Sequence, residues 1–533
     1  MLPAPRVRGS ELYVPLSGQL VSAVTAVTGR PQIQQRSFND TPHDKWFVLP
    51  YTPAHVKAWN LATGSKLPGP AFAAWAYPGL RAPFTHQRLI VDFLTQNRRA
   101  FCFSGMGTGK TSGTLWAAEY LRQMGEVKRV LILSPLSTLR VVWVDELFKI
   151  NPTVACSIAH GSKEKRERAW FGQNPYVVMN HDGLRLMDAD KVALQFDLVI
   201  IDEIGVFRTW QSGGPPARYK QLLKLAHHPH VTRVWGLTGT PTPNGPFDAW
   251  ALVKIINPSF NVPKTRFQTM VMQQITEFKW VPKAGAAEQA AELLQPSIRF
   301  STEDVLKYLP PQVYTTREVP LSPEQTKMRN AFRTQYKAEH KGREVTAANA
   351  AIMLSKVLQT AAGAVRVNED EKPLTVSAAP RLKALTDLVE EAEGKAIIFC
   401  SFRAPIEMIV AHFEDHGISA AAIHGDVSAG RRAEIYRDFQ EEEEPRVIVA
   451  HPATTAHGIT LTAANLIVWY GPIFSNELYE QGNARAHRPG QHRVVTVAHI
   501  SSTPEEAAIY KVLRSRGEMQ KTILDLAREI AEC

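Results

Sequence analysis

Phe101-Cys-Phe-Ser-Gly-Met-Gly-Thr-Gly-Lys-Thr111 is the stretch from which the rest of the chain is read. An apolar run, Ala100 to Phe103, leads into three alternate glycines, then Lys110 and Thr111, then a helical pattern from Thr114 to Leu121. Strand, glycine loop and helix in that order make a phosphate-binding loop. Gly105, Gly107 and Gly109, with Met106 and Thr108 between them, let the backbone curl so that several N–H groups face one anion. The helix start adds its partial positive charge. In such a loop Lys110 reaches the β- and γ-phosphates of a nucleoside triphosphate, and the Thr111 hydroxyl ligates Mg²⁺. The strict pattern has glycine where Ser104 stands.

A chain of 533 residues is too long for one core, and two to four domains are expected. Its 44% hydrophobic and 21% charged residues fit folded globular protein rather than a disordered or membrane-spanning one. The formal charge of +10 leans towards a polyanionic partner. Cys102, Cys156, Cys400 and Cys533 are widely spaced, which argues against zinc and a disulfide framework and fits a reducing cytosol. No apolar run is long enough to span a membrane, and Met1 to Arg6 opens no secretory signal. The expected location is the cytoplasm of a bacterium or of a phage-infected host.

Residues 1–75 mix short β-like runs with Pro, Gly and Ser, and read as a small β-containing accessory module, a possible contact for a protein partner. Over 76–256, apolar strand runs (Val130 to Leu133, Tyr176 to Met179, Leu198 to Ile201, Val234 to Leu237) alternate with helical stretches. That alternation implies a parallel sheet with helices on both faces and ligands at the carboxyl ends of its strands. Residues 257–375 lose it and carry two long helical patterns, so they read as a helical insert. Alternation resumes over 376–533. The expected fold is α/β, with two similar lobes joined by the insert.

Asp202-Glu203 follows the apolar run Leu198 to Ile201. Mg²⁺ favours a few carboxylates plus phosphate oxygens, which suits Asp202. Glu203 is placed to orient and deprotonate an attacking water. Thr238 and Thr240, in Leu237-Thr-Gly-Thr-Pro241, offer hydroxyls that can reach the acid pair, although the string alone reads as a plain turn. Arg485 and Arg488 stand three apart and face the same way on a helix that Pro489 ends. Aimed at a γ-phosphate they would act as arginine fingers; read bare, such a pair is surface charge.

The order of these motifs resembles that of superfamily 2 helicase-like motors, and among them the Swi/Snf-type DNA translocases, in particular a compact phage-encoded branch. Pro83-Phe-Thr-His-Gln87 resembles the glutamine motif that reads adenine. Leu133 to Leu139 and Asn180 to Gly183 resemble two nucleic-acid-contacting motifs, and Ile298 to Pro310 the inter-lobe segment. Ile397 to Arg403, Ile423 to Asp426, His457 to Ala464 and Gln481 to Gln491 resemble the motifs of the second lobe. The resemblance covers about 78–530. It implies two RecA-like lobes that clamp ATP, with Lys110, Glu203, Arg485 and Arg488 catalytic. Gln87, the loop and Gly458 would bind nucleotide, while Thr238, Thr240 and Gln481 couple hydrolysis to movement. It further implies phosphate contacts from Ser134, Thr138, Asn180 and Ser401 to DNA, double-stranded and read with little sequence preference.

Three departures stand out: Ser104-Gly105 replaces an acidic pair, Gly205 stands where a coupling residue such as His is usual, and Ala456-His457 replaces two glycines. They bear on coupling rather than on hydrolysis. Two other activities fit the same motifs: a strand-separating helicase on DNA or RNA, and a nucleotide-gated DNA clamp without productive movement.

Overall fold

Leu198–Ile201 contains no polar residue, and a strand of that kind is stable only when both of its faces are covered. In the computed structural model Leu198 and Ile200 pack into one apolar cluster, and Val199 and Ile201 into another. The helices Thr85–Gln96 and Lys110–Gln123 supply the first cluster, and Ala217–His227 and Ala249–Ile256 the second. The structure describes residues 5–15, 32–34, 46–105, 107–208, 214–243, 245–276, 279–301, 305, 309–340, 347–366, 373–455, 459–515 and 526. The chain divides into two compact units, Met1–Val305 and Leu306–Cys533.

The first unit opens with a four-stranded antiparallel sheet of β1 (Arg6–Arg8), β2 (Glu11–Pro15), β3 (Gln32–Gln34) and β4 (Trp46–Pro50), in the order β1-β2-β4-β3. Leu12, Val14 and Leu49 pack with Val56 and Trp59 of the next helix, Pro53–Thr63. That helix ends at Gly64, whose φ of 68° is left-handed. Lys57 Nζ donates to Asn97 Oδ1 at 2.7 Å, and Gly69 N to Asp92 Oδ2 at 3.1 Å, so the module is bonded to the body of its unit.

The main sheet comprises β5 (Arg99–Cys102), β6 (Val130–Ser134), β7 (Cys156–Ile158), β8 (Tyr176–Asn180), β9 (Leu198–Ile201), β10 (Arg233–Leu237) and β13 (Ser297–Ile298). Its order is β13-β5-β10-β9-β6-β8-β7, parallel throughout. A small antiparallel ribbon, β11 (Met272–Thr276) with β12 (Lys279–Pro282), lies between β10 and β13 in sequence.

In the second unit β14 (Gln312–Glu318), β17 (Lys395–Phe399), β18 (Ala420–Ile423), β19 (Val447–Ala450), β20 (Ala464–Trp469) and β21 (Val495–Ser501) form a second parallel sheet, in the order β14-β21-β20-β17-β19-β18. β15 (Ala364–Val365) and β16 (Leu374–Thr375) form a separate ribbon. Ile397 and Phe399 point into one cluster, Ala396 and Ile398 into the other, as β9 does in the first unit. The expected pair of helix-flanked parallel sheets is what the chain forms. The two long helices of the insert are Pro323–His340 and Ala347–Ala362. The stretch 257–375 also gives β13 to the first sheet and β14 to the second, strands the helical reading did not foresee.

His499, on β21, is fully buried. Its Nε2 lies 2.8 Å from the Tyr479 hydroxyl, Tyr510 and Tyr314 flank the ring, and Nδ1 has no hydrogen-bond partner. Burial, helped by the Arg514 charge, pushes the imidazole down to about 4. The unfolded chain protonates this group near its ordinary value, so its contribution is full above about pH 6.5 and is lost as pH falls through about 4. That loss amounts to about 3 kcal/mol. Urea titrations across this window should show His499→Gln flattening the acid loss of stability; an unchanged pH slope would remove His499 as its source.

Candidate active site

β5, β10, β9, β6 and β8 are neighbours in the first sheet, and each delivers a motif at its carboxyl end. The loop after β5 turns at Gly107 (φ 72°) and Gly109 (φ 74°), conformations that favour glycine. A Cβ on Gly109 would also lie 2.0 Å from Gln87 Nε2. The helix starts at Lys110, and its first bond here runs from Gly113 N to Gly109 O at 3.0 Å. The N–H groups of the first turn have no carbonyl above them in the helix, which is the condition for holding an anion.

Three side chains brace the loop. Gln87 Nε2 donates to Gly109 O at 3.4 Å, and its Oε1 accepts from Phe84 N at 2.9 Å. His86 Nε2 lies 2.7 Å from Thr108 O, and the Thr108 hydroxyl donates to Gly105 O at 2.7 Å. Gly105 N donates to Phe300 O at 2.8 Å, so this amide serves the edge next to β13. A cleft of about 430 Å³ is lined by Trp75, Tyr77, Arg81, Pro83 and Arg88; Arg81 donates to Ser112 Oγ at 2.9 Å, tying it to the loop's helix. Met106 lies outside the described residues.

Asp202 is buried after β9. Its Oδ2 accepts from Trp143 Nε1 at 2.9 Å and Ser134 Oγ at 3.2 Å, and its Oδ1 accepts from Glu203 N at 3.0 Å. Two donors fill the lone pairs of Oδ2, leaving Oδ1 with one for a hard cation. A buried carboxylate with one oxygen still able to accept has the chemistry that suits Mg²⁺. His181 Nε2 sits 2.9 Å from Asp202 O and fixes the backbone behind it.

Glu203 has φ 46° and ψ 49°, the left-handed region, a costly conformation for a side chain that is not glycine. The turn holds its carboxylate between two motifs: Oε1 lies 4.0 Å from Lys110 Nζ, and Oε2 accepts from Thr238 Oγ1 at 3.4 Å. Thr240 N donates to Thr238 Oγ1 at 3.3 Å. The expected reach of the threonine turn to the acids is therefore present, through Thr238.

The strand-contact residues separate into two groups. Register pairs Ser134 with Asn180 at the ends of β6 and β8. Ser134 and Thr138 are buried, their hydroxyls 2.5 Å apart, with Ser134 turned to Asp202 and Thr138 donating to Pro135 O. The hydroxyls expected to meet phosphate are here turned inward, that of Ser134 to the acid and that of Thr138 to Ser134 and Pro135. Asn180 is half-buried with Oδ1 3.4 Å from His160 Nδ1, and Ser401 Oγ, after β17, has no hydrogen-bond partner.

In the second unit the helix Asn476–Asn483 precedes the arginines. It ends at Asn483, so Arg485 and Arg488 lie beyond it rather than in a last turn closed by Pro489; past its end Leu461 N donates to Arg485 O, and Gln491 Nε2 to Ala486 O. The two guanidiniums still converge, both on Ile459 O, from Arg485 at 3.1 Å and Arg488 at 2.9 Å. Arg485 also donates to Gln481 O at 3.0 Å, and Gln481 Nε2 to Glu477 Oε1 at 3.4 Å. Burial pulls Arg488 down to about 10, which leaves it cationic at neutral pH. Gly458 lies outside the described residues.

Sequence reasoning missed Trp143, His86, His181 and Arg208, whose guanidinium donates to Thr240 O. Trp143 had one signal: an indole N–H within the run Val141-Val-Trp-Val144 needs a buried acceptor.

The family profile described as SNF2-related domain matches residues 86–370, and that of the helicase conserved C-terminal domain matches 380–490. "Putative protein p41" of Acyrthosiphon pisum secondary endosymbiont phage 1 is 25% identical over 84% of this chain and 98% of its own length. An uncharacterized ATP-dependent helicase of Mycoplasma genitalium is 25% identical over 79% of this chain, which spans only 40% of that protein. The Sulfolobus solfataricus SWI2/SNF2 ATPase core solved in complex with dsDNA is 20% identical, with 86% of this chain and 95% of that one covered at a TM-score of 0.40. With the first profile covering more than half of its length and the second following in order, the chain belongs to the SNF2-related family and is an ATPase of helicase superfamily 2.

Proposed function

We propose that the chain hydrolyses ATP to move along double-stranded DNA without strong sequence preference and without separating its strands. The observation that supports its hydrolytic step is the place of Glu203, whose carboxylate stands between Lys110 and the hydroxyl of Thr238; the movement on DNA rests on the family. Lys110 and the loop amides hold the phosphates, Glu203 takes the proton of the attacking water, and Thr238 senses the state of Glu203. Thr111 and Asp202 would hold Mg²⁺, which would supply neutralising charge to the phosphates. Arg485 and Arg488 are assigned to the γ-phosphate, with Gln481 behind Arg485. Asn180 and Ser401 are assigned to DNA phosphates. The net charge of +10 and the family support a nucleic-acid track.

Double-stranded DNA is expected to raise the ATPase rate at low salt and less so at high salt. Lys110→Ala should abolish hydrolysis. Equal rates with and without any nucleic acid would reject the motor. Triplex displacement with no release of a duplex strand is the expected signature; strand release would favour a helicase, and binding without displacement a clamp. Residues 1–75 are proposed as the place for a protein partner.

A further inference from the structure

Gly205 follows the acid pair by two positions, and the space beside it is occupied. A Cβ built there would lie 2.9 Å from Arg208 Cζ and 3.1 Å from both terminal guanidinium nitrogens. The backbone between them is a short 3-10 turn, Ile204–Phe207, closed by Arg208 N donating to Gly205 O at 3.1 Å. From that position Arg208 Nη1 donates to Thr240 O at 2.5 Å. The other end of Thr240 is fixed as well, its N–H donating to Thr238 Oγ1, which in turn faces Glu203 Oε2. One residue of the turn after β10 is thus held by both its amide and its carbonyl, the first through Glu203's own partner and the second by Arg208.

We infer that Arg208, lying in the space that a side chain at Gly205 would take, is a positioning residue. It locks the Thr238–Thr240 turn to the acid turn and so sets how strongly DNA stimulates hydrolysis. The physical case is steric and electrostatic together. A guanidinium donates several hydrogen bonds in one rigid plane and keeps its charge when half-buried, so it can bond a carbonyl while packing flat on a backbone that has no Cβ. Any larger residue at 205 would displace it. The absence of a side chain at Gly205 is then a condition for the contact rather than a loss of coupling. The inference rests on the DNA-motor reading above.

The test reads the ratio of DNA-stimulated to basal ATPase rate in the full chain. Arg208→Ala is expected to lower that ratio about tenfold, the size of an ordinary coupling between sites. Gly205→Ala, which pushes the guanidinium aside, should lower it comparably and add nothing in the Arg208→Ala background, while Arg208→Lys should restore part of it. A stimulated wild type whose ratio survives Arg208→Ala overturns this inference alone. So does independent, additive loss from Gly205→Ala and Arg208→Ala, or a parallel fall of both rates that leaves the ratio intact. A wild type that no DNA stimulates overturns the motor reading and this inference together.

Discussion

Glu203→Gln is expected to bind ATP about as well as the unaltered chain and to cleave it about 10²–10⁴-fold more slowly, the usual contribution of a positioned general base. The amide keeps the size of the side chain and can still accept from Thr238 Oγ1, so the turn should stay in place. What it loses is the ability to take a proton, and the charge that faces Lys110 Nζ at 4.0 Å. Removing that charge also frees the lysine for phosphate, so the affinity for a fluorescent ATP analogue should hold or rise. Titration with the analogue and a single-turnover assay separate the two effects. Normal turnover would remove Glu203 from the site; lost binding would make it a ligand contact instead.

The second large effect concerns folding. Arg381, in the helix Ala379–Glu391, meets Glu506, in the helix Pro504–Ser515, through two bonds of 2.7 Å, and both side chains are fully buried. Arg381 Nη1 also donates to Tyr470 O at 2.6 Å, and Ser502 N to Glu506 Oε2 at 2.7 Å. The pair therefore ties two helices to the end of β20. Glu506→Gln leaves a guanidinium buried without its counter-charge, which costs about 3–5 kcal/mol. In urea unfolding of the full chain the midpoint of this unit should fall accordingly. The double change Arg381→Met with Glu506→Leu should lose much less, because no charge then remains to be solvated. A double variant as weak as the single one would argue that packing, not charge, holds the corner.

The sequence announced those elements whose stability is local to them. Leu198–Ile201 and Ala396–Phe399 are apolar on both faces, so their burial and parallel pairing followed from composition, and the spacing of Gly107, Gly109 and Lys110 announced the glycine turn and the helix start behind it. β14 stayed hidden because its residues, Gln-Val-Tyr-Thr-Thr-Arg-Glu, are exposed along an edge and owe their extended form to pairing with β21. β13 is two residues long and exists only as a partner of β5. The same limit applied within the site. Ser134 and Thr138 carry the right chemistry for a phosphate, but burial directs their hydroxyls to Asp202 and to each other. Trp143 and Arg208 act on residues dozens of positions away, a distance that no local pattern encodes.

Among the described residues, Glu203 is the one non-glycine at positive φ. Judged by folding alone, glycine would be the better residue there, by about 1 kcal/mol or more. A random drift of sequence under selection for stability alone would therefore move this position towards glycine. A carboxylate standing against this gradient is what the proposed role of Glu203 requires: stability given up where a backbone turn must present an acid.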